Sequence, residues 1–364
     1  MATSTPTSHP LSEKTSHLEA QTPVAPAEAK AAQIPLKEFT IPTFPPEAFT
    51  AGLTTLILTS DIKMNEYQQL LALPHSVPKL PDSITNLTLE LFSLGYPPGF
   101  LTDLGNALPG IKNLTIYSQL FAGTTAASKT DALAFLQGLK ALKEIHFLDV
   151  FTPPGVLAEI GAALSSETVF TEISYTYRHS DPEFAKGLAV GDMSAFVRDG
   201  GKALRLAMQA PDVSAADEED REGTEVGIFP VQNAGAMGGV VDRLVECGGG
   251  LVLLDVTVLE VGVKDVLVLL EACPKLKVLA LSVSLEKGWE EVMNEVKGRL
   301  GAVESLELVG VPSSEAVETL KSQDEFLSAG VLGELGGEVK AVTVSVLRTR
   351  SESWSLESGK WTKV

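Results

Sequence analysis

Ile84-Thr-Asn-Leu87-Thr-Leu89, Ile111-Lys-Asn-Leu114-Thr-Ile116 and Leu276-Lys-Val-Leu279-Ala-Leu281 are three copies of one pattern, apolar-x-x-apolar-x-apolar. Working outward from them, the same spacing recurs as Leu53/Leu56/Leu58, Leu142/Ile145/Phe147, Phe170/Ile173/Tyr175, Leu251/Leu254/Val256, Val303/Leu306/Leu308 and Val339/Val342/Val344. A weaker copy has Gly201 in first place, then Leu204 and Leu206, making ten in all. First positions are separated by 25 to 31 residues, except for steps of 50 and 36 that carry extra chain. The underlying period is about 28, the signature of a repeat architecture.

Alternation at the end of each copy (Leu56 in, Ile57 out, Leu58 in) is that of a short half-buried strand. Before most strands lies a stretch with helical spacing, such as Trp289, Val292, Met293, Val296 and Leu300, or Val156, Leu157, Ile160 and Leu164. Leu133/Leu136/Leu139 and Val240/Val241/Leu244/Val245 are two more. Glycine or proline follows several of these stretches (Pro109-Gly110, Gly248–Gly250, Pro274, Gly301), where helix ends favour them. A strand with one apolar row is unstable alone, and so is a three-turn helix with one apolar stripe. Stacking the units in register buries both faces against neighbours and makes one continuous core. Helices are wider than strands, so the stack bends with its strands inside. The predicted fold is α/β: about ten irregular repeats, a curved parallel sheet on the concave side and helices on the convex side.

These residues resemble the leucine-rich repeat proteins, specifically the ribonuclease-inhibitor-like class with a helix in each repeat. The resemblance covers roughly residues 50–350. It departs from the family pattern three residues after the last leucine, where the family wants Asn or Cys. Here those places hold Asp61, Phe92, Gln119, Val150, Arg178, Gln209, Leu259, Ser284 and Val311. The chain is also similar to the repeat region of F-box substrate adaptors. Residues 1–46 do not supply the compact helical F-box itself.

Composition narrows the function classes. Of 364 residues, 28 are Lys or Arg and 47 Asp or Glu, a net charge of −19. Nucleic-acid affinity comes largely from cations that neutralise phosphates, so neither a nucleic-acid nor an anionic-membrane partner is expected. No uncharged apolar run reaches the ~20 residues of a membrane span. The opening residues are expected to form neither a signal nor a transit peptide. A monomer in the cytoplasm, or the nucleus, is the expectation. Two cysteines, Cys247 and Cys273, exclude a disulfide framework and are expected as buried thiols ending successive helices.

Around the repeats, residues 1–46 are rich in Pro, Ala, Ser and Thr and are expected to be a disordered tail. Residues 210–228, with Asp217-Glu218-Glu219-Asp220, read as a solvated acidic loop inserted into the 47–350 solenoid. Residues 351–364 are expected to form a capping hairpin that turns at Glu357-Ser358-Gly359-Lys360, with Trp354 and Trp361 over the last repeat.

No catalytic constellation emerges. No His-x-x-x-His or Cys-x-x-Cys spacing marks a metal site, and no nucleophile elbow or phosphate-binding loop occurs, so neither metal nor cofactor is expected. Gly235–Gly239 and Gly248–Gly250 flank a helix rather than open one after a strand. Asn86-Leu-Thr and Asn113-Leu-Thr match the glycosylation sequon but fall within strands. His146 beside Glu144 and Glu172 suggests a carboxylate–imidazole pair with no nucleophile. The outward strand positions make a mixed polar strip, and repeat solenoids bind partners on such surfaces. Glu90, Tyr117, His146, Glu172 and Arg205 are the candidate partner-binding residues, Tyr and Arg being typical anchors. A solvated strand face with no ligand is the alternative. The favoured reading is a non-catalytic protein-interaction scaffold. A ubiquitin-ligase adaptor and an enzyme with a site at the 210–228 insertion are the weaker alternatives.

Overall fold

The strands lie in one sheet whose spatial order is the chain order, β1 to β13. The computed structural model describes residues 31–36, 52–60, 77, 79–90, 95–176, 188, 190–209, 230 and 234–364. The acidic loop at 210–228 lies outside these, as does most of the N-terminal segment. Ten parallel strands correspond to the ten sequence repeats: β2 (Thr55–Ser60), β3 (Asn86–Glu90), β4 (Asn113–Ile116), β5 (Glu144–Leu148), β6 (Phe170–Thr176), β7 (Ala203–Gln209), β8 (Leu253–Val261), β9 (Val278–Leu285), β10 (Ser305–Pro312) and β11 (Ala341–Val346). One further parallel strand, β1 (Ala31–Leu36), pairs with β2. Two antiparallel strands, β12 (Arg350–Glu357) and β13 (Lys360–Lys363), close the other end. The fold is an α/β repeat solenoid, parallel strands stacked in chain order with helices in the crossovers.

Register shows what holds it together. Leu56, Leu87, Leu114 and Ile145 stand opposite one another along the sheet, as do Leu58, Leu89, Ile116 and Phe147. All of these are essentially inaccessible to solvent. Burying each such side chain contributes roughly 1.5–3 kcal/mol, but only if the neighbouring strand supplies the other wall. In β6 the register differs from the sequence reading. Thr171 pairs with Ile145 and Ile173 with Phe147, so Thr168/Thr171/Ile173 is the true copy, two residues earlier than Phe170/Ile173/Tyr175. Threonines hold two apolar places here; both are buried, and Thr168 Oγ1 donates to the Leu142 carbonyl at 3.3 Å. Phe170 therefore lies on the concave face, not in the core.

The helices fill the crossovers: α1 (Phe100–Ala107), α2 (Ala126–Gly138), α3 (Val156–Ala163), α4 (Val190–Met193), α5 (Ala234–Cys247), α6 (Val263–Ala272), α7 (Trp289–Val296), α8 (Ser314–Ser322) and α9 (Ala329–Gly333). The last two share one crossover, which explains the 36-residue step. Val245, placed by spacing on the apolar stripe of α5, is instead half exposed. Two helix starts that lack their own cap borrow one from the next repeat. α1 begins after Gly99, and Asp131 on α2 accepts from the N–H groups of Leu101 and Thr102, both at 3.0 Å. α3 begins after Gly155, whose N–H donates to Asp192 on α4 at 2.5 Å. A carboxylate at a helix N-terminus satisfies orphan donors and meets the positive end of the helix dipole.

At the C-terminal end the inner row finishes on different residues. Val342 faces Trp354 and Val344 faces Glu352. Glu352 is buried, accepts from the Phe326 N–H at 3.0 Å, and lies 3.5 and 3.3 Å from Arg350 and Lys363. The final turn places Ser358 and Gly359 at φ 50° and 80°, where glycine is at ease.

Two tests follow from the register. Leu279→Asp puts an unpaired carboxylate in the inner row and is expected to cost several kcal/mol in urea denaturation. Ala280, although on the concave face, is only 1% exposed and sits in register between Asp255 and Glu307. Ala280→Asp is thus not the mild change that alternation alone predicts. It is expected to cost about 1–3 kcal/mol at pH 7, with partial recovery at pH 4, whereas Ala280→Ser stays near wild type. Separately, Asp131→Ala should cost about 1–2 kcal/mol by loss of the α1 cap.

Candidate functional site: a charged row across the concave face

Positions that alternate with the core face the concave side, and one register row of them carries charge. It runs Thr88, Thr115, His146, Glu172, Arg205, Asp255, Ala280, Glu307 and Thr343 across β3 to β11. Strand spacing of ~4.8 Å puts each side chain within reach of the next. His146 Nδ1–H donates to Glu172 Oε2 at 2.7 Å, and its ring meets Phe170 edge-on with centroids 5.0 Å apart. Arg205 lies between two acids, 3.6 Å from Glu172 and 3.3 Å from Asp255. Asp255 Oδ1 also accepts from the Thr257 N–H at 3.1 Å and its hydroxyl at 2.8 Å. On the far side of Ala280, Glu307 accepts from Arg348 at 3.2 Å.

This row is less open than a solvated strip. Glu172 and Asp255 keep only 9% and 11% of their side-chain surface, and Arg205 17%. Charges this far out of water persist only when paired. Burial works against the charged form of Glu172. The His146 hydrogen bond, the Arg205 guanidinium and the Ser174 hydroxyl outweigh it, and the carboxyl titrates below its usual range. Ser174 Oγ donates to Glu172 Oε1 at 3.2 Å rather than to the imidazole. The order is hydroxyl, carboxylate, imidazole, so the histidine is not placed to take the hydroxyl proton as a general base must.

One row further toward the strand C-termini stand Glu90 and Tyr117, Glu90 exposed and Tyr117 half-buried. Tyr117 N–H donates to the Leu89 carbonyl at 2.9 Å, which fixes it beside Glu90's strand. Its phenol is pushed up by burial and by the negative charges of Glu90, Glu172 and Asp149. Asp149, with φ 53°, accepts from the Thr176 N–H at 2.7 Å. The structure therefore places all five predicted site residues on the concave face. His146, Glu172 and Arg205 interact directly, and Tyr117 lies within the electrostatic reach of Glu90 and Glu172. Reasoning from sequence missed Asp255 and Glu307 as members of the same row, and Arg348 as the partner of Glu307. Asp255 and Glu307 were legible as outward positions. Arg348 was not, because it belongs to a turn.

In the second half of the sheet the concave row next beyond the charged one is closed. Ala207, Ser282, Val309 and Ser345 are buried. Of the two thiols, Cys273 is buried and burial lifts it to about 11, while Cys247 is partly exposed. Among the described residues no group of three or more His, Cys, Asp or Glu is arranged to hold a metal, and no helix is long and apolar enough to cross a membrane. Asn86 and Asn113 use their side chains to bridge β3 and β4, with Asn113 Nδ2 donating to Asn86 Oδ1 at 2.7 Å.

No family model matches the sequence. No curated protein matches it either. Among solved structures the chain is similar to the leucine-rich repeat-containing protein LegL7 from Legionella pneumophila. Sequence identity is 12%, the match covers 88% of this chain and 92% of that one, and the TM-score is 0.43.

The Glu172 cluster has a pH signature. Its carboxyl is held below the unfolded value, so its contribution is complete above the ordinary carboxylate range and is lost as pH falls through the lowered folded-state value. Glu172→Gln is expected to lower stability at pH 7 and to flatten the acid limb of the stability curve. Urea midpoints measured from pH 7 to pH 2 check this; parallel curves for both proteins would contradict it.

Proposed function

We propose that the protein is a non-catalytic protein-interaction scaffold that holds a partner segment on its concave sheet face. The observation that carries this reading is Tyr117: a half-buried ring on a rigid parallel sheet, in the field of Glu90, Asp149 and Glu172. An aromatic anchor that keeps part of its surface exposed offers apolar area at small entropic cost. The acids around it favour a partner that presents basic side chains, as does the net charge of −19. A helix in every complete crossover and a repeat near 28 residues support the ribonuclease-inhibitor-like subclass within this reading. The cytoplasm or nucleus is the proposed compartment, and a single chain the proposed working unit.

Arg205 is a poor probe of this function. It is tied to two nearly buried carboxylates, so reversing its charge leaves both unpaired and destabilises the fold. Glu90 and Tyr117 test the reading more cleanly. Quantitative proximity labelling with Tyr117→Ala and Glu90→Lys is expected to show a partner enriched by the wild-type chain falling about tenfold or more, as for an interface anchor. Melting temperatures should stay close to wild type. Full retention of every partner by both variants would exclude this face as the binding surface.

A further inference from the structure

Arg348 makes a side-chain contact that is distant in sequence. Its guanidinium donates to the main-chain carbonyl of Met208, 140 residues away in sequence, and to Glu307 Oε1 at 3.2 Å. A flat sheet would separate β7 from β11 by four strand spacings of ~4.8 Å, so the sheet must curl for one side chain to join them. Pairing between β7 and β8 stops at Arg205 opposite Asp255, and β8 then bulges between Val256 and Glu260. The Met208 carbonyl lies beyond that parting. Arg348 thus spans the concave groove where the ladder opens, with only 14% of its side chain exposed.

The backbone that delivers it is strained. Leu347 and Arg348 have φ of 48° and 58°, in a turn closed by the Thr349 N–H donating to the Val346 carbonyl at 2.9 Å. Both central residues are left-handed, a geometry that Asn-Gly suits and that side-chain-bearing residues occupy at a cost. The neighbouring Ser358-Gly359 turn uses glycine at its second place. Strain of this kind persists where surrounding contacts over-determine it, and it concentrates at clamps and switches. Here the over-determining contacts are those of the guanidinium.

The place it fills is built for that group. A carboxylate and a carbonyl oxygen converge on it, matching the planar fork of arginine. Asp255 adds a second acid on the far side of Ala280. Leaving Arg348 aside, the row holds Glu172, Asp255 and Glu307 against the single permanent cation Arg205. Burial pushes the Glu307 carboxyl up, with Arg348 and Arg205 opposing the shift and Asp255 adding to it.

We propose that this socket is an arginine-recognition point of the concave face, occupied in cis by Arg348, and that an arginine of the partner segment exchanges with it. Partner entry and release of the β11–β12 tip are then one event. The proposal rests on the concave-face reading above and gives that partner a required side chain.

Arg348→Gly tests it, because glycine removes the guanidinium and suits the left-handed turn, so the hairpin persists. The full-length variant is titrated calorimetrically with Nα-acetyl-L-arginine methylamide at low salt. It should bind at least about tenfold more tightly than wild type, since the internal competitor is gone. The citrulline analogue, which lacks the charge, should not bind, and adding Glu307→Gln should abolish arginine binding. Equal binding by wild type and Arg348→Gly, or none by either, overturns the proposal and leaves Arg348 as a structural tie. A second measurement uses the unaltered protein. Saturating probe should accelerate hydrogen exchange at the Leu347 and Thr349 amides, which bond to Gly310 and Val346; unchanged exchange counts against it. The two readings fail separately. Probe binding without loss of partners in Tyr117→Ala and Glu90→Lys keeps the socket as an arginine site and removes the partner from this face, and the converse pattern keeps the scaffold and removes the socket.

Discussion

Each strand is dry on one side only because the strands beside it carry the same apolar row at the same height. Leu56 faces Leu87, Leu87 faces Leu114, and Leu114 faces Ile145, with no long-range closure between distant parts of the chain needed to bury them. The constraint is one of register. Because the side-chain period of a strand is two, a one-residue slip in any repeat turns its whole apolar set toward solvent. That penalty explains why the pattern survives in degenerate repeats. It also explains why β6 tolerates Thr168 and Thr171 in apolar places: the register is held by the strands on both sides, and each threonine needs only to fit and, at Thr168, to find a carbonyl.

The same constraint frees the other face. Packing dictates the residues that point inward and says little about those that alternate with them. Here that freedom is used for charge. Placing His146, Glu172, Arg205 and Asp255 at one height makes each the nearest neighbour of the next, and curvature then takes the row part-way out of water. Partial burial raises the cost of an unpaired charge, so the alternation of sign along the row is a condition of stability as well as a surface for recognition. Arg205 is accordingly a structural group that happens to lie on the candidate face. Tyr117 and Glu90 stand nearer the open side and carry fewer structural duties.

The ends of a solenoid must break the pattern, because the last row has no next neighbour. This chain does so by reversing direction. β12 pairs antiparallel with β11 and substitutes Trp354 and Glu352 for the aliphatic row, with Glu352 satisfied by the Phe326 N–H, Arg350 and Lys363. A hairpin in place of a further crossover also creates a tip, and that tip carries Arg348 back over the concave face to β7. The cap therefore does two things at once: it ends the core and it reaches into the charged row.

Periodicity alone determined the repeat, its strand and helix halves, the inward and outward residues of most strands, and the closing turn at Ser358-Gly359. These are local matters, set by the spacing of apolar side chains and by which residues tolerate a left-handed backbone. Where that spacing was ambiguous, as at Phe170 against Thr168, pairing with β5 and β7 decided the register. The exposure of the concave face could not be read at all. Ala280 and Asp255 alternate outward like Thr88, yet they lie nearly out of solvent because the second half of the sheet curls and Arg348 crosses it. Contacts between residues 140 positions apart depend on accumulated bend, strand by strand, and no window of sequence contains that sum.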